Sequence, residues 1–189
     1  MAGFSQGMVR TSRQVAWVIA IGCLGGLLPA QAAEKYSEAA VKAAFILRFS
    51  GYVDWPGDVA ATRLTIAVMG DAEVASQLEA LVARQSSSGR PTEVVRATKP
   101  AELDAAQIVY LGTAKRREVR NLIAAVATRP VLTVTDDERG LDQGATVNFL
   151  VVDRRVRFEV SLTAAQRAGL RISSDMLSVA TRVVGNAAQ

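Results

Sequence analysis

Thr146-Val147-Asn148-Phe149-Leu150-Val151-Val152, then Asp153-Arg154, then Arg155-Val156-Arg157-Phe158-Glu159-Val160-Ser161-Leu162 is the stretch that decides the fold. In its second half Val156, Phe158, Val160 and Leu162 alternate with Arg155, Arg157, Glu159 and Ser161. Period-2 alternation marks a strand with one face in a core and the other in water. The first half also reads as a strand and is more apolar. Only Asp153-Arg154 separates the two, so they form a tight antiparallel hairpin, although the turn carries no glycine. Downstream, Thr163-Ala164-Ala165-Gln166 has the spacing of a capping box that opens a short helix. Gly169 suits a left-handed cap at its end. Ser173-Ser174 offers a second N-cap, and Met176, Leu177, Ala180, Val183 and Val184 lie on one stripe of an expected final helix.

Upstream of the hairpin, strands and helices alternate. Ser37 to Ser50 reads as a helix, apolar on nearly every side around Ala43-Ala44-Phe45-Ile46-Leu47, with Lys42 and Arg48 as its polar interruptions. An extended segment, Tyr52-Val53-Asp54-Trp55-Pro56, follows. Pro56 keeps Trp55 out of helical geometry, and Trp55 is expected to pin the loop to the core. Strands are expected at Leu64–Met69, Glu93–Thr98, Ile108–Leu111 and Val131–Thr135. Helices fall at Ala72–Ala83 and Lys115–Ala127, with about one turn at Pro100–Ala106. This order predicts an α/β fold in three layers. A mostly parallel sheet carries helices on both faces, and the C-terminal antiparallel β-hairpin sits at the edge.

The first 33 residues differ from the rest of the 189-residue chain. Arg10 and Arg13 are their only charges, Val15 to Leu28 is apolar apart from small residues, and Ala30-Gln31-Ala32 has a small-x-small cleavage pattern. The reading is a secretory signal peptide over 1–32 and a single domain over 33–189. A retained anchor is the alternative; Pro29 and Gln31 interrupt the span that it needs. Cys23 as a lipid-modified residue is a third possibility, but Ala20 is smaller than usual there and an apolar tail would remain. Either main reading places the domain outside the cytoplasm. Cys23 is the only cysteine, so the mature domain has no thiol and relies on its core. Without Arg10 and Arg13, 20 basic residues face 18 acidic ones, and the formal charge falls from +4 to +2. The basic balance is weak evidence for nucleic acid, and no nucleic-acid partner is expected.

No histidine occurs, which removes Ser-His-Asp and Cys-His catalysis and histidine metal sites. Neither glycine-rich phosphate loop is present. The expected carboxyl ends of the strands supply Gly70-Asp71, Thr98, Gly112-Thr113 and Asp136-Asp137, where α/β sheets bind ligands. Caps and turns explain the same residues and are the preferred reading. Lys115-Arg116-Arg117-Arg120 reads as a solvated face. Arg157 and Glu159 share one face of their strand, and with no nucleophile or second acid beside them they are read as edge or recognition residues. No catalytic residue, metal or cofactor is expected, and the protein is not expected to be an enzyme.

Two stretches resemble a known family. Lys42-Ala43-Ala44-Phe45, Arg48-Phe49 and Val53-Asp54-Trp55-Pro56 are similar to the N-terminal signature of YfiR-like periplasmic proteins. Gly144, Val147-Asn148-Phe149, Val156-Arg157-Phe158-Glu159-Val160, Ala164-Ala165 and Arg167-Ala168-Gly169-Leu170-Arg171-Ile172-Ser173-Ser174 are similar to the C-terminal one. Val160-Ser161 replaces the commoner Ile-Asn, Met176 stands where Leu is usual, and the cysteines of some relatives are missing. The resemblance implies a periplasmic regulator that binds and represses the periplasmic sensing domain of an inner-membrane diguanylate cyclase, so lowering cyclic di-GMP and biofilm formation. It also implies a homodimer. The alternative is a ligand-binding sensor subunit for a membrane histidine kinase or transporter. Trp55, Asn148, Arg157, Glu159, Arg171 and Ser173 are the candidate partner-binding residues.

Overall fold

The structure is a computed structural model that describes residues 37–57, 62–85, 90–112 and 117–185. The expected signal peptide, Cys23, the strand-end Thr113, and Lys115 and Arg116 of the basic run lie outside the described residues.

Helix α1 (Glu38–Phe49) is capped by Ser37, whose Oγ accepts from Ala40 N–H, and Glu38 sits in its first turn, where an acid suits the helix dipole. Its buried side is Ala39, Lys42, Ala43, Ile46 and Phe49. After Gly51 the chain extends through β1 (Val53–Asp54), and β2 (Leu64–Met69) then enters the core with five of its six residues buried. Asp71 caps α2 (Ala72–Arg84), its Oδ1 accepting from Val74 N–H. Strand β3 (Thr92–Arg96), a 3-10 turn (Pro100–Leu103), β4 (Ile108–Leu111), α3 (Val119–Val126) and β5 (Leu132–Thr135) follow. The hairpin is β6 (Val147–Val152) with β7 (Arg155–Ser161). The chain ends in α4 (Leu162–Arg167), β8 (Arg171–Ile172), α5 (Ser174–Ser178) and β9 (Arg182–Val184).

Seven strands form one sheet in the order β3-β2-β4-β5-β6-β7-β9. The first five run parallel, and β7 and β9 run against them. Apolar side chains of α1, α2, α4 and α5 pack on one face; those of α3 and the 3-10 turn pack on the other. The expected three-layer α/β fold with its C-terminal hairpin is what the chain adopts. Beneath α1 the rings of Phe45, Phe49, Phe149 and Phe158 meet with centroids 5.1–6.1 Å apart. Buried aromatic rings of this kind contribute about 1.5–3 kcal/mol each.

Two expectations at the C-terminus are corrected. The final helix stops at Ser178, and Arg182–Val184 leaves it to pair in parallel with β7 as the sheet's outer strand. The stripe through Val183 and Val184 fits a helix as well as an edge strand, and β7's open side decides between them. Helix α4 is capped by Ser161, whose Oγ accepts from Ala164 N–H, and not by the Thr163 box. Strand β7 ends on that serine, so the helix starts two residues early. The turn residues Asp153 and Arg154 both adopt positive φ, +49° and +60°, as a two-residue hairpin requires.

Candidate functional site

Three polar constellations stand out. The first is a ladder across the last strands. Asn148, Glu159 and Arg182 are register partners on β6, β7 and β9. Asn148 Nδ2 donates to Glu159 Oε1 at 3.1 Å, and Arg182 Nε and Nη2 reach Glu159 Oε2 at 2.8 and 2.7 Å. Glu159 is only 9% exposed, so it is a covered strut between strands, whereas Arg157 on the same face is exposed.

The second lies where α1 crosses the carboxyl end of β5. Lys42 Nζ sits 2.6 Å from Asp136 Oδ2 and 2.6 Å from Glu38 Oε1. The buried Tyr110 hydroxyl donates to Asp136 Oδ2 at 3.0 Å and lies 3.4 Å from Asp71 Oδ2. Burial works against the Lys42 ammonium, but its hydrogen bonds and charge attraction with Asp136 and Glu38 outweigh that and hold its pKa above the ordinary 10.5. Burial, and then the charges of Asp136 and Asp71, push the Tyr110 hydroxyl well above its ordinary range. A cavity of about 500 Å³ opens beside this cluster, walled by Lys42, Asp136, Asn148, Phe149, Leu150 and Val151, with Glu38, Glu138, Glu159 and Arg182 completing its lining. The other strand ends offer less. Gly112 packs so closely on Gly70-Asp71 that a Cβ there would stand 2.6 Å from Asp71 Cβ, which fills the crevice between β2 and β4.

The third is the hairpin tip. Strand β5 pairs with β6 only as far as Asn148, while β6 continues beside β7 to Val152. The overhanging end exposes Val151 (53%) and Val152 (40%) next to Arg154, Arg155 and Arg157, and none of these arginines has an ion pair among the described residues.

The sequence-derived candidates thus fall into separate groups. Asn148 and Glu159 meet in the ladder, and Arg157 belongs to the exposed tip. Trp55, Arg171 and Ser173 gather elsewhere. Strand β1 pairs with β8 in a small antiparallel sheet, Val53 opposite Ile172 and Asp54 opposite Arg171. Arg171 Nη2 reaches Asp54 Oδ2 at 3.3 Å, and both side chains are exposed. Ser173 N–H donates to Tyr52 O at 2.8 Å while its Oγ caps α5. Trp55 packs against the core and is half-buried, as expected of a loop anchor. The two stretches that carry the family resemblance therefore touch in space. Lys42, Tyr110 and Arg182 were not among the candidates, and Asp136 was weighed as a strand-end ligand residue but read as a turn or cap. Their signals were a lysine in an otherwise apolar helix and an aspartate directly after a buried strand.

Among the described residues no group of three His, Cys, Asp or Glu side chains could hold a metal ion, and no helix is long and apolar enough to cross a membrane. The fold is that of a three-layer α/β domain. The chain belongs to the YfiR/HmsC-like family, whose model matches residues 39–181. That family consists of periplasmic regulators connected with diguanylate cyclase signalling. Two solved structures share the fold. A conserved domain protein from Vibrio cholerae matches at TM-score 0.54 and 14% identity, over 78% of this chain and 60% of that one. The ABC domain in complex with L-Trp from Streptococcus pneumonia matches at TM-score 0.51 and 11% identity, over 77% and 60%. The match thus spans about 60% of each of those longer chains.

Proposed function

We propose that this protein is a periplasmic repressor that binds the periplasmic sensing domain of an inner-membrane diguanylate cyclase, lowering cyclic di-GMP and with it biofilm formation. The observation that carries the reading is the family match across residues 39–181. Repression needs only that the inactive state of the cyclase be bound more tightly than the active one. The cyclase, not this chain, handles GTP, and the chain acts as a homodimer without a catalytic role of its own. Its N-terminal segment serves as the export signal.

The hairpin tip is the contact surface that fits this role best. It combines two exposed valines with three arginines that form no ion pair among the described residues, an apolar centre with a charged margin. The test is a chromosomal Val151→Asp/Val152→Asp/Arg157→Glu variant. All three side chains are exposed, so the variant folds. Cellular cyclic di-GMP then rises to the level of a gene deletion. A stable variant that represses like the wild type removes the tip from the interface, and a deletion that leaves cyclic di-GMP unchanged under several growth conditions removes repression itself. The cavity beside Lys42 favours a second reading, a ligand-binding sensor subunit for a membrane histidine kinase or transporter. A deletion that alters such an output while cyclic di-GMP stays constant selects it.

A further inference from the structure

The lining of the cavity beside Lys42 is short of positive charge. Within the lining Glu38, Asp136, Glu138 and Glu159 face Lys42 and Arg182, while Arg154, Arg155 and Arg157 lie in the adjoining groove past Glu38 and Val151. Arg182 is engaged by Glu159, and the one ammonium of Lys42 is shared by Glu38 and Asp136. Glu138 is exposed at the rim and has no partner among the described residues. The deficit reaches inward, because Asp71 approaches the same Tyr110 hydroxyl as Asp136 and that hydroxyl has one proton to give.

Donors are short as well. The Asp136 side chain is 8% exposed, and its Oδ1 is buried without a hydrogen-bond partner. Asn148 is 3% exposed, and its Oδ1 is also unpartnered. The Asn148 amide cannot turn over to cure this, because Nδ2 must donate to the Glu159 carboxylate. Two buried acceptors left unmade are costly, the carboxylate oxygen most of all. Both residues wall the same cavity, Asn148 with its Oδ1 turned against Gly140, so Asp136 Oδ1 is the acceptor that bears on it, and the cavity is of a size that takes a small molecule. Its remaining wall, Phe149, Leu150 and Val151, is apolar in its side chains.

We propose that this cavity binds a small organic amine. The ammonium lies against Asp136, whose carboxylate turns to give Oδ1 an N–H donor while Oδ2 keeps Lys42. Glu38 and Glu138 hold the positive charge at the mouth, and a short hydrocarbon portion runs along Phe149 to Val151. A hard metal cation fits less well, because the Lys42 ammonium occupies the space between the two carboxylates. A zwitterionic amino acid also fits less well, since its carboxylate would face Glu38 and Glu138.

The purified protein is titrated calorimetrically, and its thermal unfolding followed, with butylamine, 1,4-diaminobutane and phenethylamine; butyrate and phenylalanine serve as controls. At least one amine binds saturably with Kd below about 1 mM and raises Tm, while the controls bind at least about tenfold more weakly. Asp136→Asn weakens that amine about tenfold or more. Glu138→Gln, at an exposed side chain without a partner among the described residues, weakens it severalfold and leaves the Tm of the free protein unchanged. The proposal is overturned if folded wild-type protein binds none of the three amines up to about 10 mM. It is equally overturned if phenylalanine binds as tightly as phenethylamine, or if the folded Glu138→Gln variant binds like the wild type. Binding is measured on the isolated protein, so the outcome is independent of whether a cyclase is the partner.

Discussion

Lys42 and Tyr110 make the protein's stability sensitive to alkali. Both groups hold their protons more tightly in the folded state than their ordinary pKa values of 10.5 and 10.0 allow. The unfolded chain therefore releases these protons at lower pH than the folded protein does, and the folded state carries more protons in alkaline solution. By linkage their contribution is fully present below about pH 10 and is lost as pH rises further. Urea denaturation between about pH 8 and pH 11 should show stability falling at the alkaline end, with a shallower fall in Tyr110→Phe. A flat or rising profile would contradict the assignment. Arg157 and Glu159 separate at the same scale. Sequence alternation puts them on one face and cannot say that Arg182 and Asn148 close over only one of them. Arg157→Ala should stay within about 0.5 kcal/mol of wild type. Glu159→Ala should cost about 1–3 kcal/mol, because Asn148 Nδ2 loses its acceptor in a buried position. Equal stability of the two variants in denaturation would sink this distinction.

At the level of elements the hairpin turn stores strain. Asp153 and Arg154 both hold left-handed backbone angles that Asn-Gly adopts at little cost. Replacing them as Asp153→Asn/Arg154→Gly should stabilise the protein by about 1 kcal/mol. If the tip contacts the partner, the same change should weaken repression through the loss of Arg154. Chemical denaturation and a cyclic di-GMP measurement read the two effects separately, and a destabilised variant would show that the turn is not strained. The alternation of β7, the capping serine before α5 and the left-handed Gly169 were readable because each is decided within a few residues. Strand β9 was not readable, because whether Arg182–Val184 pairs with β7 depends on which strand is left with an open edge. The cluster at the cavity was hidden for a related reason. Lys42 and Asp136 are 94 residues apart in the chain, and only the docking of α1 across the end of β5 brings them together. Each reads locally as an ordinary residue, a helix lysine and a post-strand aspartate.

For the molecule as a whole, the sheet has two edges to protect. At one, β3 presents Glu93 and Arg96, each in a surface ion pair, with Arg63 and Glu79 respectively. Charged side chains of this kind discourage a further strand from adding. At the other, β9 covers β7 with only three residues. Those residues also place Arg182 on Glu159, and Gly185 next to them packs against Thr163. Ending the chain after Ala180 would remove this cover and leave the seven residues of β7 as the sheet's edge. Glu159 would lose its cation, and the outward N–H and C=O groups of β7 would have only water as partner. The apolar layers on both faces lie mainly under α1, α2 and α3 and would stay in place. The truncated protein should therefore keep its far-UV circular dichroism, unfold at lower denaturant, and self-associate beyond the state of the intact chain as concentration rises. Sedimentation velocity across a concentration series separates this from simple loss of stability. A truncated protein that sediments like the intact one at every concentration would show that β9 is dispensable as a cover and that β7 is guarded by its own alternating arginines.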